Sequence, residues 1–208
     1  MSADLFVTGT DTAVGKTLLS ALLVAALNRQ YWKPIQTGAC EGTDREAIMK
    51  WAEVAADRVL PETYIFDPPV SPHLAAEQEG TAINLHGICR PASLDPLIIE
   101  GAGGVYVPIN VSAFMLDLMR QLGAPVVVAA RTALGTINHT LLTVAALRDA
   151  KLDLRGVVMI GKENRDNRRA VEVYGNVAVI GCIPLLEVIN RSTLRTVFAQ
   201  NFDAGAFS

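Results

Sequence analysis

Residues Gly9 to Thr17 read GTDTAVGKT, between the apolar run Leu5-Phe6-Val7 and the helix-like stretch Lys16 to Asn28. No other feature restricts the fold of this chain as much. A short strand, a glycine-bearing turn and a Gly-Lys-Thr opening a helix gather backbone N–H groups at a helix N-terminus. That makes a phosphate cradle. The common loop has four residues between its first glycine and the Gly-Lys-Ser/Thr ending. Here five intervene, Thr10 to Val14. Ala13, Val14 and Gly15 then bring backbone to a nucleotide. Lys16 brings a full charge to its outer phosphates, and the Thr17 hydroxyl an oxygen for Mg2+.

Beyond the loop the chain repeats the same strand-then-helix plan. The apolar runs Pro96 to Ile99, Val126 to Ala130, Gly156 to Ile160 and Val177 to Ile183 lack strict alternation, as strands covered on both faces do. Helices are predicted over 44–56, 115–122, 136–150, 168–174 and 192–200. Alternating strands and helices predict a doubly wound, mostly parallel α/β sheet. The proline-broken stretch Thr63 to Ser93 reads as an insertion beside it. At 208 residues, half of them hydrophobic, the chain is expected to form one α/β domain over 1–208.

Bulk charge narrows the partners. A net charge of −3 gives no global reason to bind nucleic acid. No apolar run approaches the roughly 20 residues that cross a bilayer, and no secretory signal is read at the N-terminus, so a cytoplasmic protein without membrane attachment is expected. Cys40, Cys89 and Cys182 have no metal-type spacing and are expected as free thiols.

Two acids and a second lysine complete the candidate site. Glu100 follows Leu97-Ile98-Ile99 and opens Glu100-Gly101-Ala102-Gly103-Gly104. A carboxylate at a strand's end, buried among apolar residues, requires a partner. Asp44 stands at the start of the second predicted helix, either as its cap or as a metal ligand. Lys33 precedes Pro34, which holds the backbone extended there. In a sheet whose second strand neighbours the first, Lys33 and Lys16 share one crevice. Two ammonium groups there suit a γ-phosphate facing an anionic acceptor. Spacing alone leaves open a solvated surface lysine.

The set GTDTAVGKT, KPIQTG, the Asp44 of GTD, SPHLAAEQEG, EGAGGVYVPI and GTINHTLLT resembles the dethiobiotin synthetases over Leu5 to about Pro184. The lengthened loop is that family's form. The resemblance implies a sheet of the P-loop nucleoside triphosphate hydrolase type. It also implies MgATP-dependent carboxylation of 7,8-diaminononanoate with CO2 or bicarbonate, through a carbamate and a carbamic–phosphoric anhydride. Dethiobiotin, ADP and phosphate are released. It makes Lys33 and Lys16 catalytic, and Thr17, Asp44 and Glu100 magnesium ligands. Thr12, Thr37 and Asn138 would touch the diamine, and Gly101, Ala102 and Gly103 would line the nucleotide or the substrate. The family works as a homodimer with substrate at the subunit interface, Asn138 being at a helix start of the second subunit or simply a helix-start residue.

Two departures bear on the nucleotide. Relatives often carry an acid where Ala13 stands. They commonly carry an asparagine, which reads adenine, where this chain has Ile160 before Gly161. Isoleucine packs on a base but cannot exchange hydrogen bonds with its edge. ATP is the expected co-substrate, and other nucleoside triphosphates stay open. Backbone at Pro184, Leu185 and Leu186 is expected near the base. The competing reading is a nucleotide-switch ATPase of the partition or division type, working through protein partners.

Overall fold

The protein is described by a computed structural model over residues 4–207. Ala3, two residues before the apolar run Leu5-Phe6-Val7, lies outside them. The first half of the chain runs β1 (Leu5–Gly9), α1 (Lys16–Leu27), β2 (Gln30–Trp32), β3 (Ile35–Gln36), α2 (Asp44–Ala52), β4 (Tyr64–Ile65) and α3 (Pro72–Gln78). The second runs β5 (Leu97–Gly104), α4 (Met115–Leu122), β6 (Val126–Arg131), α5 (Thr136–Asp149), β7 (Leu154–Ile160), α6 (Arg165–Gly175), β8 (Val179–Ile183) and α7 (Arg191–Asn201).

Six strands form one sheet in the order β2-β5-β1-β6-β7-β8. Every pair within it is parallel. Because side chains alternate along a strand, each apolar run divides between two faces. Phe6, Ile99, Val128 and Met159 pack beneath α3, α4, α5 and α6. Val7, Ile98, Val127 and Val158 pack beneath α1, α2 and α7. Burial on both faces is why these strands show no simple alternation of apolar and polar residues.

Several expected boundaries move for local reasons. The second helix stops at Ala52, because Glu53 turns left-handed at φ 49°, and a separate short helix covers Ala56–Arg58. α6 starts at Arg165 instead of Arg168, where the Asn164 side chain accepts from the Asn167 N–H at 2.9 Å. β5 continues past Ile99 to Gly104, since its glycines run alongside β1 up to a Gly9–Gly104 pairing. The proline-rich insertion supplies β4, which pairs with β3 in a second, two-stranded sheet.

The strand order corrects one premise. β2 does not neighbour β1; it pairs with β5, which separates the two. Chain order does not determine the lateral order of parallel strands, because each crossover can land on any free edge. The consequence for Lys33 is small. Tyr31 lies opposite Ile98, and Glu100 is the next β5 residue on that face. Lys33, two residues beyond Tyr31, therefore leaves the sheet over the same crevice as Glu100 and α1.

Candidate active site

The loop closes upon itself before it can close upon a ligand. Lys16 Nζ donates to the Asp11 carbonyl at 3.0 Å, bridging the mouth of the turn. Asp11 Oδ1 accepts the Thr12 N–H at 2.7 Å, and its other oxygen meets Arg131 Nη2 at 3.0 Å. Ala13 is left-handed at φ 55° and Gly15 at φ 98°. At Gly15 a side chain is excluded twice, since an added Cβ would stand 2.9 Å from Ile160 Cδ1. Ile160 thus packs against the floor of the loop. α1 begins at Lys16 with no side-chain cap, so its first N–H groups stay available to an anion.

Three oxygens from three elements gather beside that helix start. Thr17 Oγ1 lies 2.9 Å from both Asp44 Oδ1 and Glu100 Oε1, with one hydroxyl proton to donate between them. Asp44 is released for this by its neighbour. The Thr43 side chain accepts the Glu46 N–H, and Glu46 Oε2 accepts the Thr43 N–H, a reciprocal cap on α2. Of the two roles open to Asp44, capping therefore belongs to Thr43. Gln36 Oε1 receives the Asp44 N–H at 3.1 Å and steadies that first turn.

Lys33 joins the cluster from β2's end. Its ammonium is paired with the Asp44 carboxylate and lies 3.9 Å from Glu100 Oε1. Lys16, Thr17, Lys33, Thr37, Asp44 and Glu100 all line one cavity of about 690 Å3. Burial pushes the Lys16 ammonium below its ordinary range; Glu100 raises it again and Lys33 lowers it further. Burial raises Glu100, with Lys33 opposing the shift. Two cations and two carboxylates balance one another, so a polyphosphate brought here would add net negative charge. Thr17, Asp44 and Glu100 offer hard oxygens without a full cage, the donor set that suits Mg2+ retaining water and phosphate ligands.

Other candidates fall in different places. Thr12, Ala13, Gly15, Ala102 and Gly103 line the same cavity, while Val14 is buried below it. Gly101 is not among its walls. It lies over the Phe6 ring, where a Cβ would come within 2.9 Å of Cε1, so packing accounts for this glycine. Gly161 and Pro184 line a second cavity of about 440 Å3 at the ends of β7 and β8. Leu185 is exposed, and Leu186 packs toward the α1 face. Asn138 is exposed on α5, whose N-cap is Gly135, and stands apart from the two lysines. His73 Nδ1 lies 3.0 Å from Ser71 Oγ.

Sequence reasoning passed over Tyr31, whose hydroxyl donates to Glu100 Oε2 at 3.1 Å, and the Thr43–Glu46 cap. Both had a signal. Tyr31 precedes Lys33 by one strand period, and Thr-x-x-Glu ahead of a helix is a capping pattern.

Strand, cradle, paired lysines and oxygen cluster define a nucleotide-binding α/β protein of the P-loop class. The family model described as "AAA domain" matches residues 3–193. A ParA family ATPase from Chlorobium tepidum is similar in fold, with a TM-score of 0.56 at 10% identity over 96% of this chain and 93% of that one. At such identity the likeness concerns the fold alone.

Sequence relatives are more specific. The ATP-dependent dethiobiotin synthetase BioD of Nitrobacter hamburgensis is 46% identical, covering 97% of this chain and 95% of that protein. That of Paramagnetospirillum magneticum is 49% identical over 91% of each. The biotin biosynthesis bifunctional protein BioCD of Bordetella avium is 47% identical over 91% of this chain and 41% of its own length. The chain belongs to the ATP-dependent dethiobiotin synthetase family.

Proposed function

We propose that this chain closes the ureido ring of dethiobiotin from 7,8-diaminononanoate, CO2 and ATP, with residues 1–208 acting as one catalytic unit. Family membership makes it an ATP-dependent enzyme that forms carbon–nitrogen bonds. The observation that carries the mechanism is the shared cavity of Lys16 and Lys33 beside the Thr17, Asp44 and Glu100 oxygens.

One substrate amine adds to CO2 and loses a proton, giving a carbamate. A carbamate oxygen attacks the γ-phosphorus, the bond to the β-phosphate oxygen breaks, and ADP departs. The second amine attacks the carbonyl carbon of the resulting anhydride and expels phosphate. The first meeting brings two anions together, so charge placement decides its rate. Lys16 lies over the cradle and neutralises the outer phosphates. Lys33, held by Asp44 on the substrate side, neutralises the carbamate and the oxygens in flight. Thr12 and Thr37 orient the diamine. Mg2+ held by Thr17, Asp44 and Glu100 would withdraw charge from the phosphate oxygens.

The diamine's carboxylate tail is assigned to the α5 start of a second copy, near Asn138. Exposed Tyr106, Phe114 and Leu142 offer that copy an apolar footing, and light scattering should give a dimer. A cytoplasmic location belongs to the same proposal. Among the described residues no helix is long and apolar enough to cross a membrane.

The test is the product. Diamine, bicarbonate and MgATP are incubated with the protein, and the mass of the ring-closed product is sought. Phosphate release should require both the diamine and bicarbonate. Release indifferent to both, yet raised by a protein partner, would point to the switch ATPase instead.

A further inference from the structure

Tyr31 is fully buried on β2, in a stretch otherwise given to packing. A phenol there needs a partner for its hydroxyl, because an unpaired polar group in an apolar layer is costly. Its partner is the Glu100 carboxylate, at 3.1 Å from Oε2. The opposite oxygen, Oε1, is the one met by Thr17 at 2.9 Å and approached by Lys33 at 3.9 Å. The two oxygens of one carboxylate thus have separate duties. One points back into the sheet and the other forward into the site.

Strand geometry explains the pairing. Tyr31 stands opposite Ile98, and Glu100 is one strand period further along the same face, about 6–7 Å beyond Ile98 along the strand. A side chain must lean along the sheet to close that gap, and it must end in a donor. Phenylalanine would fill the same volume without reaching the carboxylate with a donor.

We propose that Tyr31 is a positioning residue for metal binding: its hydroxyl fixes Glu100 so that Oε1 is presented to the cation beside Thr17. Outer partners of this kind set the orientation of a ligand and sustain its affinity. The inference rests on Glu100 holding Mg2+, but it needs nothing from the diamine chemistry.

The test uses ADP and Mg2+ on the intact chain, so it can fail while the ring-closing reaction stands. Calorimetric titration gives the Kd for ADP with excess Mg2+ and again with chelator. For Tyr31→Phe we expect the chelated value to stay within about twofold of wild type, while the tightening conferred by Mg2+ falls roughly tenfold or more. Equal weakening in both conditions would mean a merely structural role and overturn the proposal. So would an unchanged Mg2+ effect. In a Glu100→Gln background, adding Tyr31→Phe should cost no further Mg2+ effect, because the two act through one contact; an additive loss overturns it. If the phenylalanine variant does not fold, a crystal structure of the wild-type MgADP complex decides. Tyr31 Oη within hydrogen-bond reach of Glu100 is expected there, and a hydroxyl turned away from the carboxylate overturns the assignment. A wild-type protein whose ADP affinity ignores Mg2+ overturns the metal assignment and this inference with it.

Discussion

Lys33 and Asp44 form an ion pair at the rim of the phosphate cradle, uniting the end of β2 with the first turn of α2. In the proposed mechanism the pair holds the ammonium where a carbamate passes to reach the γ-phosphate. Lys33→Ala should therefore lower kcat by roughly a hundredfold or more. Far-UV circular dichroism should stay native, because Asp44 keeps its Thr17 and Gln36 contacts. Turnover near the wild-type rate would remove Lys33 from the chemistry.

Thr17 is the common neighbour of both acids, at 2.9 Å from each. Thr17→Val keeps the shape and deletes the oxygen. Two carboxylate oxygens then face a methyl group, and the proposed Mg2+ site loses a ligand. The Mg2+ concentration for half-maximal phosphate release should rise roughly tenfold to a hundredfold. An unaltered Mg2+ requirement would place the metal elsewhere.

Much of this arrangement is legible in the sequence, and particular residues show why the rest is not. The loop, its lysine and its threonine are local, because strand, turn and helix succeed one another in the chain. Glu100 is legible because an acid among Leu97, Ile98 and Ile99 has no comfortable place without a partner. Lys33 is reached by resemblance and by a premise about strand order that fails, since β5 lies between β2 and β1. The common crevice survives because face parity, unlike lateral order, is retained along a strand. Gly101 shows what strand pairing adds. A glycine beside the site reads as a ligand contact, whereas the Phe6 ring below it is invisible until β1 and β5 are paired.

That close approach can be tested by stability. A methyl group added at Gly101 meets Phe6 Cε1 at 2.9 Å and Met115 Cγ at 3.4 Å, both in the core. Gly101→Ala should destabilise the protein by about 1–3 kcal/mol in urea unfolding. Gly87→Ala is the control, because the nearest atom to its new methyl group is 3.7 Å away. Equal effects at the two positions would argue against the packing account.

The three thiols should separate by rate. Cys40 and Cys89 are exposed, whereas Cys182 is partly buried. Burial raises the Cys182 pKa, and the Arg168 guanidinium, 3.9 Å from its sulfur, only partly offsets this. A raised pKa means less thiolate at a given pH, and the thiolate is the reactive form. With an aromatic disulfide reagent at mild alkaline pH, two thiols should react quickly and Cys182 slowly. Its rate should climb as pH rises through its elevated pKa. Three equal rates would contradict the burial of Cys182.

In the proposed nucleotide site, base selectivity depends on where Ile160 points and what surrounds it. Its side chain packs against Gly15 and offers a base edge neither donor nor acceptor. Each nearby amide is engaged at one atom: Asn164 Oδ1 accepts from the Asn167 N–H at 2.9 Å, and Asn167 Nδ2 donates to the Thr132 carbonyl at 3.0 Å. Phosphate and metal contacts are the same for every nucleoside triphosphate, so discrimination must come from the base. A site without paired hydrogen bonds to that edge forgoes the large rejection factors such pairs provide. ATP, GTP and CTP should therefore show kcat/KM values within roughly tenfold of one another. A preference for ATP of several hundredfold would mean that backbone groups near Pro184, or the side chains of Gln200 and Asn201 in the neighbouring cavity, read the base instead.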